Sequence, residues 1–223
     1  MQFLFNDDAG KTTLKLKGDD YKYLFKVRRH TLEDVLYFRS RLKSEELHAY
    51  KVLSLDGRSA LMEHINSEVK EVKSEKELHI AWCVIDPKSV EKVLPSLNEI
   101  GVSKISFIYC DRSQKNFKTD IQRYERILET SSQQCGRSKP IEFETFKNLD
   151  DFLQTNPQTV VLDFCDNVLA CDNDVKTVLI GCEGGFSEEE RKKMDALQRF
   201  RLDTPMILRS ESAAMAIASK VLI

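Results

Sequence analysis

The pattern of apolar and polar positions changes character near residue 70. Before it, short runs alternate with a period of two, which predicts β-strands. They are QFLF (2–5), TTLKLKG (12–18), DVLYFRSRL (34–42) and HAYKVLSL (48–55). One stretch breaks the alternation: DDYKYLFKVRRH (19–30) carries helical spacing, and its leading acidic residues suit a helix N-terminus. Asp56-Gly57, between two strand-like runs in LSLDGRSALMEHI, is a strong hairpin signal. Short strands of this kind hide their edges best in a small barrel-like domain. Residues 67–78, SEVKEVKSEKEL, are charge-rich and poor in apolar side chains, so the chain is divided there into 1–70 and 71–223.

Beyond that boundary strand-like and helix-like segments take turns. ELHIAWCVI reads as a strand and PKSVEKVLPSLNEIG as a helix, with Pro87 near its start and Gly101 just past its end. KISFIYC, a long helix with Ile121, Tyr124, Ile127 and Leu128 on one face, PIEFETF, NLDDFLQ, TVVLDFC, TVLIGCEGG, SEEERKKMDALQ, FRLDT and ESAAMAIASKVLI follow. Such alternation predicts an α/β domain with a mostly parallel sheet covered by helices.

Composition narrows the chemistry. The chain of 223 residues is 41% hydrophobic and 31% charged, ordinary for a globular protein. No apolar run approaches a membrane span, and Asp7 and Asp8 interrupt any signal-like start, so a cytoplasmic protein with no membrane partner is expected. Six cysteines (Cys83, Cys110, Cys135, Cys165, Cys171, Cys182) at irregular spacings read as separate thiols in a reducing compartment. Four isolated histidines offer no metal-ligand spacing, so no metal is expected. A net charge of −2 means that any nucleic-acid binding comes from a local patch. Residues 22–43 hold one: Lys22, Lys26, Arg28, Arg29, Arg39, Arg41 and Lys43, interleaved with Tyr21, Tyr23, Phe25, Tyr37 and Phe38. Such side chains neutralise phosphates and stack on bases, or else form a solvated face over a core.

The densest functional signal is IGCEGGFSEEE (180–190), in which a strand ends on Gly181, Gly184 and Gly185 before a helix opens. Open α/β sheets bind ligands at the carboxyl ends of strands. Glycines there allow positive φ and close approach. Ser187 and Glu190 have the spacing of a capping box. The spacing is not that of a dinucleotide fingerprint. AGKTT (9–13) fails as a phosphate-binding loop because Phe5 stands where a glycine is needed. In LRSESAAMA (208–216), Ser210 or Ser212 is placed to cap an alanine-rich final helix, whose free N–H groups suit a carboxylate.

Together these stretches resemble the RsmE family, SPOUT-superfamily methyltransferases that modify a uridine of small-subunit ribosomal RNA at N3. IGCEGGFSEEE resembles I-G-P-E-G-G-F-S, and LRSESAAMA resembles L-R-T-E-T-A-A-x-A. CDRSQKN (110–116), ERILETSSQQCGRSKP (125–140) and YLFKVRRH (23–30) are similar to further family segments in the same order. The resemblance spans essentially the whole chain. It implies a PUA-like N-terminal β-barrel domain, a SPOUT α/β domain with a deep trefoil knot, a homodimer, S-adenosylmethionine as cofactor, and 16S rRNA in the small ribosomal subunit as partner. Cofactor contacts are implied for Ile180, Gly181, Glu183, Gly184, Gly185, Met206, Leu208, Ser210 and Ala213. Arg112, Glu183 and Arg209 are implied as catalytic, and Lys22, Lys26, Arg28 and Arg29 as RNA contacts. Glu183 and Arg209 have an alternative reading as an ion pair bracing the knot. Cys182 replaces the family's proline, Ser210 and Ser212 its threonines, and Asp203-Thr204 and Met206 its Leu-Gly and basic residue. A Gln-Lys of the first α/β helix is missing. Two other readings are a SPOUT methyltransferase of another RNA and a non-catalytic ribosome-assembly factor.

Overall fold

The structure, a computed structural model, describes residues 2–114, 116–170 and 174–223. It divides into two compact units. The first comprises the chain up to Lys73 together with Ser132–Lys139, and the second comprises Ser74–Ser131 and Pro140–Ile223.

The first unit is built on a five-stranded sheet. Its strands are β1 (Leu4–Phe5), β2 (Thr13–Lys17), β3 (Val35–Arg39), β4 (Glu46–Leu55) and β5 (Ser59–Val69), in the order β1-β3-β4-β5-β2. The alternating patterns act as expected: Leu14 and Leu16 of β2 point inward while Thr13, Lys15 and Lys17 face solvent. Asp56 closes the β4–β5 hairpin by accepting hydrogen bonds from the backbone N–H groups of Arg58 (2.8 Å) and Ser59 (2.6 Å). β5 runs to Val69, so pairing continues three residues into the charge-rich stretch before the exposed connection begins. The helical stretch is a single α-turn, α1 (Gly18–Tyr21), widening into a π-helical segment at Lys22–Val27. It seals the sheet with Tyr21, Leu24 and Phe25.

The second unit carries six strands, all parallel: β6 (His79–Cys83), β7 (Lys104–Ile108), β8 (Glu142–Phe146), β9 (Val160–Leu162), β10 (Thr177–Ile180) and β11 (Arg199–Phe200). Among the described residues its helices are α2 (Pro87–Ile100), α3 (Ile121–Cys135, of which the part up to Ser131 belongs to this unit), α4 (Leu149–Thr155), α5 (Glu188–Lys193) and α6 (Ser210–Leu222). Pro87 starts α2, and Gly101, at φ +112°, ends it. The sheet order is β11-β9-β10-β6-β7-β8. The chain enters at β6, builds outward to β8, then crosses to the other side and places β10 between β9 and β6. The carboxyl ends of β9, β10 and β11 therefore lie together at a reversal of strand order, where α/β sheets bind ligands. Trp82, Phe107, Tyr124, Leu179 and Ile217 are at most 1% exposed in the core beneath them.

The cysteines depart from the expectation of separate thiols. Cys83, the last residue of β6, and Cys110, just beyond its neighbour β7, form a disulfide with Cα atoms 5.7 Å apart. Their separation of 27 residues hid this from spacing arguments, because only the parallel register brings them together. Cys135, Cys165 and Cys182 are free, and Cys171 lies outside the described residues. Of the aromatics interleaved in the basic patch, Tyr21, Phe25 and Phe38 are buried in the first core, in keeping with the reading of the patch as a solvated face over a core. Only Tyr37 is well exposed, and Tyr23 is half-buried.

Candidate active site

The glycine corner folds as a tight turn at the end of β10. Gly185 N–H donates to the Cys182 carbonyl at 2.9 Å, and Gly185 stands at φ +66°, a left-handed conformation costly for any residue with a Cβ. Ser187 then caps α5: its Oγ accepts from Glu190 N–H, and the Glu190 carboxylate accepts from Ser187 N–H, completing the capping box. Burial pushes the Cys182 thiol above its ordinary pKa.

The second signature meets this turn from behind. Ser210 was expected as a cap for α6, with Ser212 as the other choice; neither serves. Arg209 occupies the N-cap position and no side chain caps the helix. The Ser210 hydroxyl instead turns into the core, where it accepts from Trp82 Nε1 (2.8 Å) and donates to the Gly181 carbonyl (2.5 Å). One hydroxyl thus ties β6, the glycine turn and α6 together.

Between these parts lies a cavity of about 350 Å³, within the size range of small-molecule sites. Its walls are the ends of β9 to β11, the glycine turn and the segment Thr204–Ala213. Of the residues expected at a cofactor, Ile180, Gly181, Glu183, Gly185, Met206, Leu208, Ser210 and Ala213 line it. Gly184 does not. A Cβ there would stand 3.3 Å from Arg112 Cβ, so this glycine admits a neighbouring side chain rather than a ligand.

Glu183 and Arg209 both line the cavity and are both exposed. No ion pair joins them among the described residues, so the bracing role weighed for them is absent. Arg112 lies outside the cavity lining and donates to the Gly184 carbonyl at 2.7 Å. Sequence reasoning missed the residues that set the walls. Asp163, at the end of β9, has a nearly buried carboxylate paired with Arg191 of α5 at 3.1 Å. A lone Asp after a short strand carries no signal for this; only the β9–β10 pairing places it opposite α5. The rim is apolar and open, with Phe164, Met206 and Ile207 each more than 60% exposed.

In the first unit, Lys22, Lys26, Arg28 and Arg29 are all exposed on the π-helical segment and its exit. Arg28 lies over the Tyr23 ring and donates to its hydroxyl at 3.1 Å. Arg29 has φ +61°, the one left-handed non-glycine residue among the described residues. Lys115, in the CDRSQKN stretch, lies outside them. No group of three or more His, Cys, Asp or Glu residues among the described residues could hold a metal ion. No described helix is long and apolar enough to cross a membrane.

A glycine-lined cavity at the carboxyl ends of a parallel sheet, closed by a C-terminal helix, matches a known class: residues 72–222 fit the model of the RNA methyltransferase domain. The chain is 39% identical over 223 residues to the ribosomal RNA small subunit methyltransferase E of Helicobacter pylori, covering 98% of each. It is 28% identical to ribosomal RNA small subunit methyltransferase E 2 of Borreliella burgdorferi, covering 92% of this chain and 88% of that one. The fold superposes at a TM-score of 0.80 on ribosomal RNA small subunit methyltransferase E from Neisseria gonorrhoeae bound to S-adenosyl methionine. That match covers 98% of this chain and 95% of the other at 17% identity. The chain belongs to the ribosomal RNA small subunit methyltransferase E family.

Proposed function

We propose that this protein is an S-adenosylmethionine-dependent methyltransferase that modifies N3 of one uridine in the 16S rRNA of the small ribosomal subunit. The observation that carries the reading is the cavity itself: a left-handed Gly185 and a bare Gly181 beside Glu183 and Arg209, neither of them ion-paired among the described residues, inside the two family-like signatures. The cavity suits the cofactor chemically. Apolar Ile180, Leu202 and Leu208 accommodate a flat base, and the exposed Glu183 carboxylate, unlike that of Asp163, which Arg191 neutralises, is placed to favour the cofactor's positive charge. Gly181, Gly185 and Leu208 contact it mainly through backbone. When bound, the cofactor supplies an already activated methyl group, leaving alignment as the protein's main contribution.

The chain's own residues prepare the acceptor. Uracil N3 becomes nucleophilic when it loses its proton, which the free Glu183 carboxylate takes. Arg209, with no partner among the described residues, stabilises the resulting imide anion, and Arg112, bound to the Gly184 carbonyl, adds a second positive charge at the glycine turn. The first unit is a PUA-like RNA-binding domain in this reading. Exposed Lys22, Lys26, Arg28 and Arg29 contact phosphates, and the strained Arg29 backbone on a π-helical exit supports a binding role there. A second copy of the chain covers the apolar rim of Phe164, Met206 and Ile207, and the C-terminal segment forms the trefoil knot. The protein works in the cytoplasm.

Ribosomal RNA from cells lacking this protein tests the reading. Nucleoside digestion of small-subunit RNA is expected to show loss of 3-methyluridine, restored by the wild-type chain and not by a Glu183→Gln/Arg209→Ala variant. Unchanged 3-methyluridine refutes the assignment.

A further inference from the structure

Glu190 does more than a capping box requires. Its side chain belongs to a residue only 2% exposed, and its two carboxylate oxygens serve segments far apart in the chain. One accepts from Ser187 N–H at 2.9 Å, the usual capping contact. The other accepts from Asp111 N–H at 2.9 Å, 79 positions away. Around that bond the same two segments are joined twice more. Ser187 Oγ donates to the Asp111 carboxylate at 2.5 Å, and Arg112 donates to the Gly184 carbonyl at 2.7 Å. Gly184 has no Cβ to hold the Arg112 stem away. A buried carboxylate left with one missing partner is costly, so both bonds persist in the folded protein.

We propose that Glu190 is a positioning residue: it locks the turn carrying Arg112 onto the glycine turn of the cofactor cavity, so that the two move as one unit. Helix capping and guanidinium placement are then one device. The inference rests on the assignment of Arg112 to the methyl-transfer reaction.

The test is a double-mutant cycle on the rate of methyl transfer to small subunits at saturating cofactor, using Arg112→Ala, Glu190→Gln and the double variant. Glutamine fills the same volume but offers one acceptor oxygen where two N–H groups need one each. A displacement of about 1 Å in a reacting group costs on the order of 100-fold, so Glu190→Gln is expected to lower kcat by roughly 10- to 100-fold, with cofactor Kd within about 3-fold of wild type. The double variant is expected to be no slower than Arg112→Ala alone, because the two residues act as a unit. Losses that multiply in the double variant overturn the coupling and leave Arg112 as a reaction residue. A wild-type rate for Arg112→Ala overturns the assignment of Arg112 and the inference with it. If Glu190→Gln does not fold, Ser187→Ala carries the same cycle, since it removes the hydroxyl that reaches Asp111 from a partly exposed position.

Discussion

Replacing Ser210 with alanine removes one oxygen and strands two polar groups. The Trp82 indole N–H, on a residue with no exposed surface, loses its acceptor, and the Gly181 carbonyl loses a donor. An unsatisfied buried polar group costs about 1–3 kcal/mol. The indole is fully desolvated while the carbonyl borders the cavity and keeps access to water, so the sum falls in the lower half of the range for two groups, about 3 kcal/mol. For a chain of this length each kcal/mol moves the midpoint by about 2–4 °C, giving a fall of roughly 6–12 °C. Ser210→Thr keeps the hydroxyl and is expected within about 1 kcal/mol of wild type. Trp82→Phe in the Ser210→Ala background removes one stranded group, so the double variant loses less than the sum of the singles. Thermal unfolding by calorimetry, with and without S-adenosylmethionine, reads all three. Equal midpoints for wild type and Ser210→Ala, or an equal fall for the threonine and alanine variants, would refute the role given to this hydroxyl.

Gly185→Ala places a Cβ 3.8 Å from the Arg191 guanidinium, an ordinary van der Waals contact with no clash, so its cost is conformational. A left-handed alanine costs roughly 1–2 kcal/mol, and calorimetric cofactor affinity is expected to fall about 10-fold or more; unchanged binding and midpoint would remove this turn from the site. His79 responds to acid: burial pushes its folded-state pKa down to about 4, below the ordinary 6.5. The unfolded chain therefore binds a proton that the native state refuses, and stability falls as pH drops through 6.5, levelling off below about 4. Over that window the loss reaches roughly 3 kcal/mol, and urea midpoints of His79→Gln should depend less on pH than those of wild type; parallel profiles contradict the assignment. Arg28→Ala/Arg29→Ala should weaken rRNA binding and reduce the magnitude of the log–log salt slope by roughly 1 to 2. An unchanged slope takes both residues out of the interface.

Much of the fold was written in periodicity. The alternation in β2, the paired glycine and proline at the ends of α2, and the capping box of α5 are local codes, so neighbouring residues suffice to read them. The cavity was legible for the same reason: its glycines and the segment before α6 lie in two short continuous stretches. What escaped were relations between distant segments. Cys83 meets Cys110 only because β6 and β7 pair in parallel, and Asp163 meets Arg191 only because β9 lies beside β10. Ser210 misled because serine before a helix is a common cap; tertiary demand from Trp82 and Gly181 outweighed that preference. Three of the basic patch's five aromatics face inward, Tyr21 and Phe25 from the helical stretch and Phe38 from β3, and build the core of the first unit. Gly184 was read as space for a ligand, yet it makes room for Arg112, a distinction that no one-dimensional pattern contains.

Purified protein incubated with methyl-labelled S-adenosylmethionine and small ribosomal subunits lacking the modification gives the most direct measurement. After nuclease digestion, label is expected in 3-methyluridine alone, at one site of the 16S rRNA and near one equivalent per subunit. Label in any other nucleoside, or tight cofactor binding with no label transferred, would contradict the proposed activity.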